Sequence, residues 1–307
     1  MLNQLITDYA KYISNLKPTK TWILARLILH WVTLPPKLIL MGLWSIRMHI
    51  YMLQWKNRPL TSAMFLEDRK QAFLKIYNNL PIYQNSELQL YVNRVPYEEQ
   101  CDGNNHNDDH QGARHGTYAF LMSRLHLRNS KIDNALILHY NEETVRRGYK
   151  FNQDGLISNP YDCSGDQLIG LTLAMLDDHS EDLRNKFIRA VEQIIDNDYA
   201  LKSVDGTKKS SSANWQPGLE TVGAQALTIL CALKMASKLG SKKAKKAYNK
   251  LIYLYGYGLL SLIPTTFSVE KRNYSNDHNC LVAAYILAQQ STGLSKLYWF
   301  CIMLYVW

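Results

Sequence analysis

The 307 residues contain no P-loop, no dinucleotide-binding glycine fingerprint, no GxSxG elbow and no HExxH helix. Nucleotide-dependent chemistry and the hydrolases that carry a local signature therefore lack support. Cysteine is sparse: residues 101, 163, 231, 280 and 301, widely scattered and with no CxxC. An odd, scattered set excludes a disulfide framework and a cysteine zinc site, and fits a reducing compartment. Cys231 and Cys280 lie in apolar helical patterns and read as small core residues. Glycine (15) and proline (9) are too few for a collagen-like or linker chain. Acidic side chains are in deficit, 26 against 35 Lys and Arg, for a net charge of +9. That balance favours an anionic partner, a membrane surface or an acidic polymer. No nucleic-acid recognition motif accompanies it, so no nucleic acid is expected. The opening residues lack the basic start, apolar stretch and small-residue cleavage site of a signal peptide. A cytoplasmic location, with peripheral membrane association, is expected.

What is present is 47% apolar and only 20% charged, which is a globular composition with enough chain for a sizeable core. Residues 1–60 form one organisational unit. Within it, Trp22–Leu34 and Leu38–Trp55 are apolar and are split by Pro35 and Pro36. Proline has no N–H donor and pushes its predecessor out of the helical region, so a pair of apolar helices is predicted. The first run is shorter than the roughly 20 residues a membrane span needs. The second contains Arg47 and His49, which are costly at mid-bilayer. Interfacial tryptophans, tyrosines and basic residues fit a peripheral membrane contact through residues 20–58. Packing on the body of the protein is the competing expectation.

Residues 61–307 hold a weak internal repeat. Four segments share one layout: NDDHQGARHGTYAFLM, SGDQLIGLTLAML, PGLETVGAQALTILCAL and SNDHNCLVAAYILA. In each, an acidic residue precedes an apolar helix with small residues in its first turns. The acids are Asp109, Asp166, Glu220 and Asp277, separated by 57, 54 and 57 residues. Near-constant spacing over four copies argues for repeated supersecondary units. A second, more amphipathic helix is predicted in each period, over 132–148, 181–197, 241–260 and 294–307. In 181–197, apolar residues at 183, 187, 188, 191, 194 and 195 lie on one helical face. The links within pairs are short, near Asp177–Ser180 and at Gly240. Those between pairs are long: 80–108, 150–164, 199–217 and 261–276. Loops of that length are usually functional or disordered. Gathered on one rim, they would flank the amino-terminal ends of the first helices. No alternating strand pattern competes with the helices, although the long connections leave room for short strands.

The four loop-to-helix junctions, with Trp215–Gly218 (WQPG) and Asp154–Leu156 (DGL), resemble the α/α toroids, in particular the six-hairpin glycosidase-like superfamily. The resemblance covers about 200 residues and is one of architecture. It implies an all-α fold of repeated α-hairpins, closed into a toroid or left incomplete, with the apolar N-terminal helical pair attached. It also implies a carbohydrate-active enzyme whose cleft at the loop-bearing end binds and cuts polysaccharide. A second toroid group, the prenyltransferase and terpene cyclase class, requires an Asp-x-Cys element that Asp162-Cys163 does not match.

Glycoside hydrolysis needs two carboxyl groups, one protonated to assist the leaving oxygen and one to activate water or attack. Asp166 and Glu220 are the first candidates, with Asp109 and Asp277 next. Tyr161, Trp215 and Tyr274 are expected to stack on sugar rings, and His110 and His278 to contact substrate. The competing reading is structural, because an acid in the first helical turn is favoured by the helix dipole. Ser164-Gly165-Asp166-Gln167 also has the form of a capping box. His106–His110 is the densest set of metal-capable groups but fits no common signature. No metal and no cofactor are expected. The lysines at 208, 209, 242, 243, 245 and 246 read as solvated surface. The alternative function is a non-catalytic helical scaffold that docks on a membrane or partner through its apolar N-terminal hairpin.

Overall fold

The computed structural model describes residues 82–91, 111–141, 144–152, 155–158, 162–203, 209–217, 223–261 and 274–306. The apolar N-terminal pair and the rest of residues 1–60 lie outside these. The first described elements are two short strands, β1 (Ile82–Gln84) and β2 (Gln89–Tyr91). Helix pairs then alternate with strand pairs. α1 (Gln111–Arg124) and α2 (Ser130–Ile137) lead to β3 (Tyr149–Asn152) and β4 (Gly155–Ser158). α3 (Gly165–Leu173) and α4 (Glu181–Asp196) lead to β5 (Ala200–Lys202) and β6 (Lys209–Asn214). α5 (Ala224–Lys238) is followed by α6 (Lys242–Asn249), a π-helical turn over Lys250–Leu254, and α7 (Tyr257–Leu260). α8 (Tyr274–Gln289) and α9 (Gly293–Val306) complete the order.

The described fold is mostly α-helical, as the sequence predicts. The short strands fall in the long connections. Each pair is a separate two-stranded antiparallel hairpin: β1–β2, β3–β4 and β5–β6.

First helices form the interior. α3 packs against α1, α5 and α8, and α5 also packs against α8. The edge-to-face contact of Phe120 with Tyr285, centroids 6.2 Å apart, joins α1 to α8. This explains why α3 and α5 lack a polar face. Residues Gln167–Leu173 are all buried, as is every residue of Ala226–Leu233. A helix apolar all round is stable only when neighbours surround it. α1 and α3 run parallel and meet along Gly112, Ala113, Gly116 and Gly170, where small side chains let the backbones touch.

Two of the second helices are shorter or more broken than the periodicity predicts, whereas α4 and α9 run nearly where it places them. α4 buries Leu183, Phe187, Ala190, Val191 and Ile194 on one stripe. Its N-cap Ser180 accepts from the Leu183 N–H at 3.3 Å, a contact of the kind that contributes about 1 kcal/mol. The helix expected over 132–148 instead ends at Ile137. Asn141 turns the chain by accepting from the Thr144 N–H, and Tyr140 pairs with Val145 as an isolated antiparallel bridge. An Asx turn beside a β-branched pair outcompetes helix continuation here. The helix expected over 241–260 is interrupted at Gly256, whose φ of 64° lies in the left-handed region.

The α1–α2 and α3–α4 links are clamped together. Arg124 pairs with Asp177 at 2.9 Å. Arg128 Nε pairs with Asp133 at 2.8 Å, both side chains buried, and Nη1 donates to the Ala174 carbonyl at 2.6 Å. Asp133 Oδ2 also accepts from the Ser180 N–H.

The long connections do not all gather at one end. β3–β4 sits near the amino-terminal ends of α1 and α3, through the Gly112 N–H to the Arg147 carbonyl and the Arg146–Asp162 bridge. β1–β2 packs along α1 and α2 instead. There Gln89 donates to the Tyr118 hydroxyl and accepts from Asn129, the α2 N-cap. The first hairpin therefore reaches toward the short-link end, contrary to the common rim expected.

Candidate functional site

The best-described part of the expected site is the amino-terminal end of α3. Ser164 occupies the N-cap position, in extended backbone, but its side chain makes no cap bond. Its hydroxyl donates to Asp166 Oδ1, and the Gln167 amide approaches Asp166 Oδ2 at 3.4 Å. Gln167 does not close a capping box either: its Oε1 accepts from the Ala113 N–H at 3.0 Å. That bond satisfies an otherwise orphaned donor in the first turn of α1 and ties α1 to α3. The predicted N-cap position is therefore right, and the predicted box is replaced by an inter-helix bond and an oriented carboxylate.

Asp166 is half-buried. Beside it lies the Cys163 thiol, whose pKa is pushed up by burial first and then by the charges of Asp166 and Asp162, with Arg147 opposing. This thiol is a protonated core group. Arg147 Nη1 approaches the Asp162 carbonyl at 3.4 Å. A carboxylate, an arginine, a serine and a glutamine thus share one end of the α1–α3 pair. Two donors on Asp166 fix its direction, which is what a group acting on a bound substrate requires.

A buried imidazole pair lies deeper. His115 Nδ1 and His139 Nε2 are 2.9 Å apart, and His139 Nδ1 lies 3.2 Å from the Arg146 carbonyl. A carbonyl only accepts, so His139 carries its proton on Nδ1 and accepts from His115 on Nε2. Burial, then the neighbouring His115, holds the His139 pKa down to about 3. His139 is therefore neutral near pH 7, and the pair joins α1 to the end of the second helix. Sequence reading placed His115 only as a helix residue; its partner is 24 residues away, and no local signal marks it.

Among the other residues expected at the site, Trp215 is a correction. It is 0% exposed. Its carbonyl accepts from the Tyr257 hydroxyl at 2.9 Å, and its ring edge lies near Gly165. An enclosed ring presents no face to a sugar; Trp215 is core, seated between the β5–β6 hairpin and the amino end of α3. His278 is exposed on α8. Asp277 and Tyr274 fall in α8, and nothing is described of their side chains. Asp109, His110, Tyr161 and Glu220 lie outside the described residues, as does the His106–His110 cluster. Neither α1 nor α5 carries an acid in its first turn, whereas α3 carries Asp166 there. Among the described residues no group of three or more His, Cys, Asp or Glu is placed to hold a metal ion.

This geometry belongs to a mostly α-helical protein built of successive helix pairs. No family model, no curated protein and no solved structure matches the chain.

Proposed function

We propose that the protein is a carbohydrate-active enzyme, a glycoside hydrolase or polysaccharide lyase. It would work through paired carboxylates at the amino-terminal ends of the first helices of an α/α-hairpin toroid or incomplete toroid. The observation that carries this reading is the setting of Asp166. Of the two structural explanations for that acid, the capping box is not formed, because the Ser164 and Gln167 side chains are turned to other partners. The helix dipole favours an acid here but calls for neither of the two side-chain donors that orient it. Asp166 is the general acid or base, Glu220 its first partner, and Asp109 and Asp277 the further carboxylates. Tyr161, Tyr274, His110 and His278 contact the polymer. The excess of basic residues favours an anionic polysaccharide. The test is cleavage of a panel of neutral and uronate-containing polysaccharides, followed by reducing-end release and by formation of unsaturated product. Asp166→Asn and Glu220→Gln should each lower cleavage at least about a hundredfold, as expected for a general acid–base group, with little change in melting temperature. A parent protein inactive on the whole panel, with variants that only melt earlier, would sink the proposal.

A second reading has its own observation. Outer helix α9 leaves Leu294, Leu297 and Phe300 exposed, 85%, 57% and 45%. Leu294 and Leu297 are one turn apart and make an apolar stripe. No helix among the described residues is long and apolar enough to cross a membrane. Under this reading the protein is a helical scaffold that docks on a membrane or a partner through its apolar N-terminal hairpin, and the stripe on α9 is a further apolar surface. Flotation with anionic liposomes, with and without residues 20–58, checks it. Equal failure to float would remove the membrane version.

A further inference from the structure

The short-link end of the α1–α2 and α3–α4 pairs, away from Asp166, encloses an open cavity of about 430 Å³. Its lining is polar throughout and includes His126, Arg128, Asp133, Asp178 and His179. A volume in this range suits a small molecule.

Arg128 gives the cavity its chemistry. Its side chain is 5% exposed. Nε is taken by Asp133 and Nη1 by the Ala174 carbonyl, while Nη2 is buried with no hydrogen-bond partner. A buried guanidinium edge without an acceptor is costly unless something supplies one. Asp133 does not supply it: the carboxylate takes Arg128 Nε on Oδ1 and the Ser180 N–H on Oδ2, and makes no hydrogen bond to Nη2. The helix ends are also engaged. Asn129 caps the Lys131 and Ile132 N–H groups, and Ser180 caps Leu183. The unmet donor is therefore the arginine itself.

His126 adds a second feature. It holds φ at 58°, a left-handed conformation that favours glycine. The bonds from the His126 N–H to the Ser123 carbonyl and from Leu127 to Met122 make it the C′ residue of a Schellman motif. A side chain is thus carried, against local preference, at a position lining the cavity.

The geometry points to an oxyanion site: the cavity binds the phosphate or carboxylate group of a small molecule on Arg128 Nη2, flanked by the imidazoles of His126 and His179. Metal binding is disfavoured because no metal-competent cluster occurs among the described residues. Burial, and then the charge of Arg128, lowers the His179 pKa. A bound anion offsets the second cause and favours the imidazolium, which strengthens the site. Asp133 is neutralised by Arg128. The exposed carboxylate of Asp178 opposes an anion at the mouth. This site is independent of the carbohydrate reading, which concerns the other end of the helices.

The probe is inorganic phosphate, titrated into the full-length protein at constant ionic strength with chloride as the control. Calorimetry and melting temperature are the readouts. Phosphate should bind saturably and raise the melting temperature beyond the chloride effect. His126→Asn and His179→Gln should each weaken binding several-fold and together at least tenfold. Asp178→Asn should tighten it, an effect that a purely structural role would not produce. Arg128→Lys keeps the charge but removes Nη2 and should abolish saturable binding; where it fails to fold, the histidine and Asp178 variants decide. Phosphate acting no differently from chloride overturns the proposal. So does unchanged binding in a folded protein carrying both histidine substitutions.

Discussion

Gly116 of α1 and Gly170 of α3 meet backbone to backbone. A Cβ added to Gly116 would stand 1.9 Å from the Gly170 carbonyl oxygen, and one added to Gly170 would stand 2.4 Å from the Ala113 Cα. Both distances are below any real Cβ contact, and the obstructing atoms are backbone, which cannot swing aside. The crossing that sets Asp166 beside α1 exists only because both positions lack a side chain.

Gly116→Ala and Gly170→Ala are therefore expected to destabilise the protein by about 3 kcal/mol or more each, at the upper end of overpacking effects. Gly165→Ala is the control, since its Cβ would meet Thr228 at an ordinary 3.7 Å. It should change stability by less than about 1 kcal/mol, the scale of the glycine–alanine difference. Urea denaturation of the three variants checks this. Equal effects at 165 and 116 would contradict the close crossing.

Arg128 and Asp133 are a buried pair, 5% and 8% exposed. Removing one partner strands a charge in the interior. Asp133→Asn or Arg128→Met should each cost about 3–5 kcal/mol, whereas the double substitution with apolar residues should cost less than the sum. A double-mutant cycle from chemical denaturation measures the coupling. Additive effects would mean the pair is solvated in solution.

His139 sets a pH dependence. Its folded pKa is about 3 against an ordinary 6.5. Between those values the unfolded chain binds a proton that the native state does not, so stability rises with pH. Above pH 6.5 the contribution is fully present. It is lost as pH falls, at about 1.4 kcal/mol per pH unit from this group. The slope of unfolding free energy against pH between 4 and 6 should fall by about that amount in His139→Gln. An unchanged slope would show that the imidazole is hydrated in the native state.

Local chemistry made several features readable from the chain. The α4 stripe and the Gly240 link depend on residues within a turn or two of one another, and the structure has them where periodicity puts them. The buried, all-apolar run of α5 was readable for the same reason. The early end of α2 was missed because the Asn141–Thr144 turn competes with helix over only a few residues.

What the amino-acid order settled alone was helical pairing and the short links, since each follows from side-chain spacing and backbone preference. Tertiary structure decided the rest. It buried Trp215, joined His115 to His139, turned Gln167 from cap to inter-helix bond and left Arg128 Nη2 without an acceptor. Each of these outcomes depends on groups distant in sequence competing for the same interior space and the same donors and acceptors. No one-dimensional pattern records which of them wins.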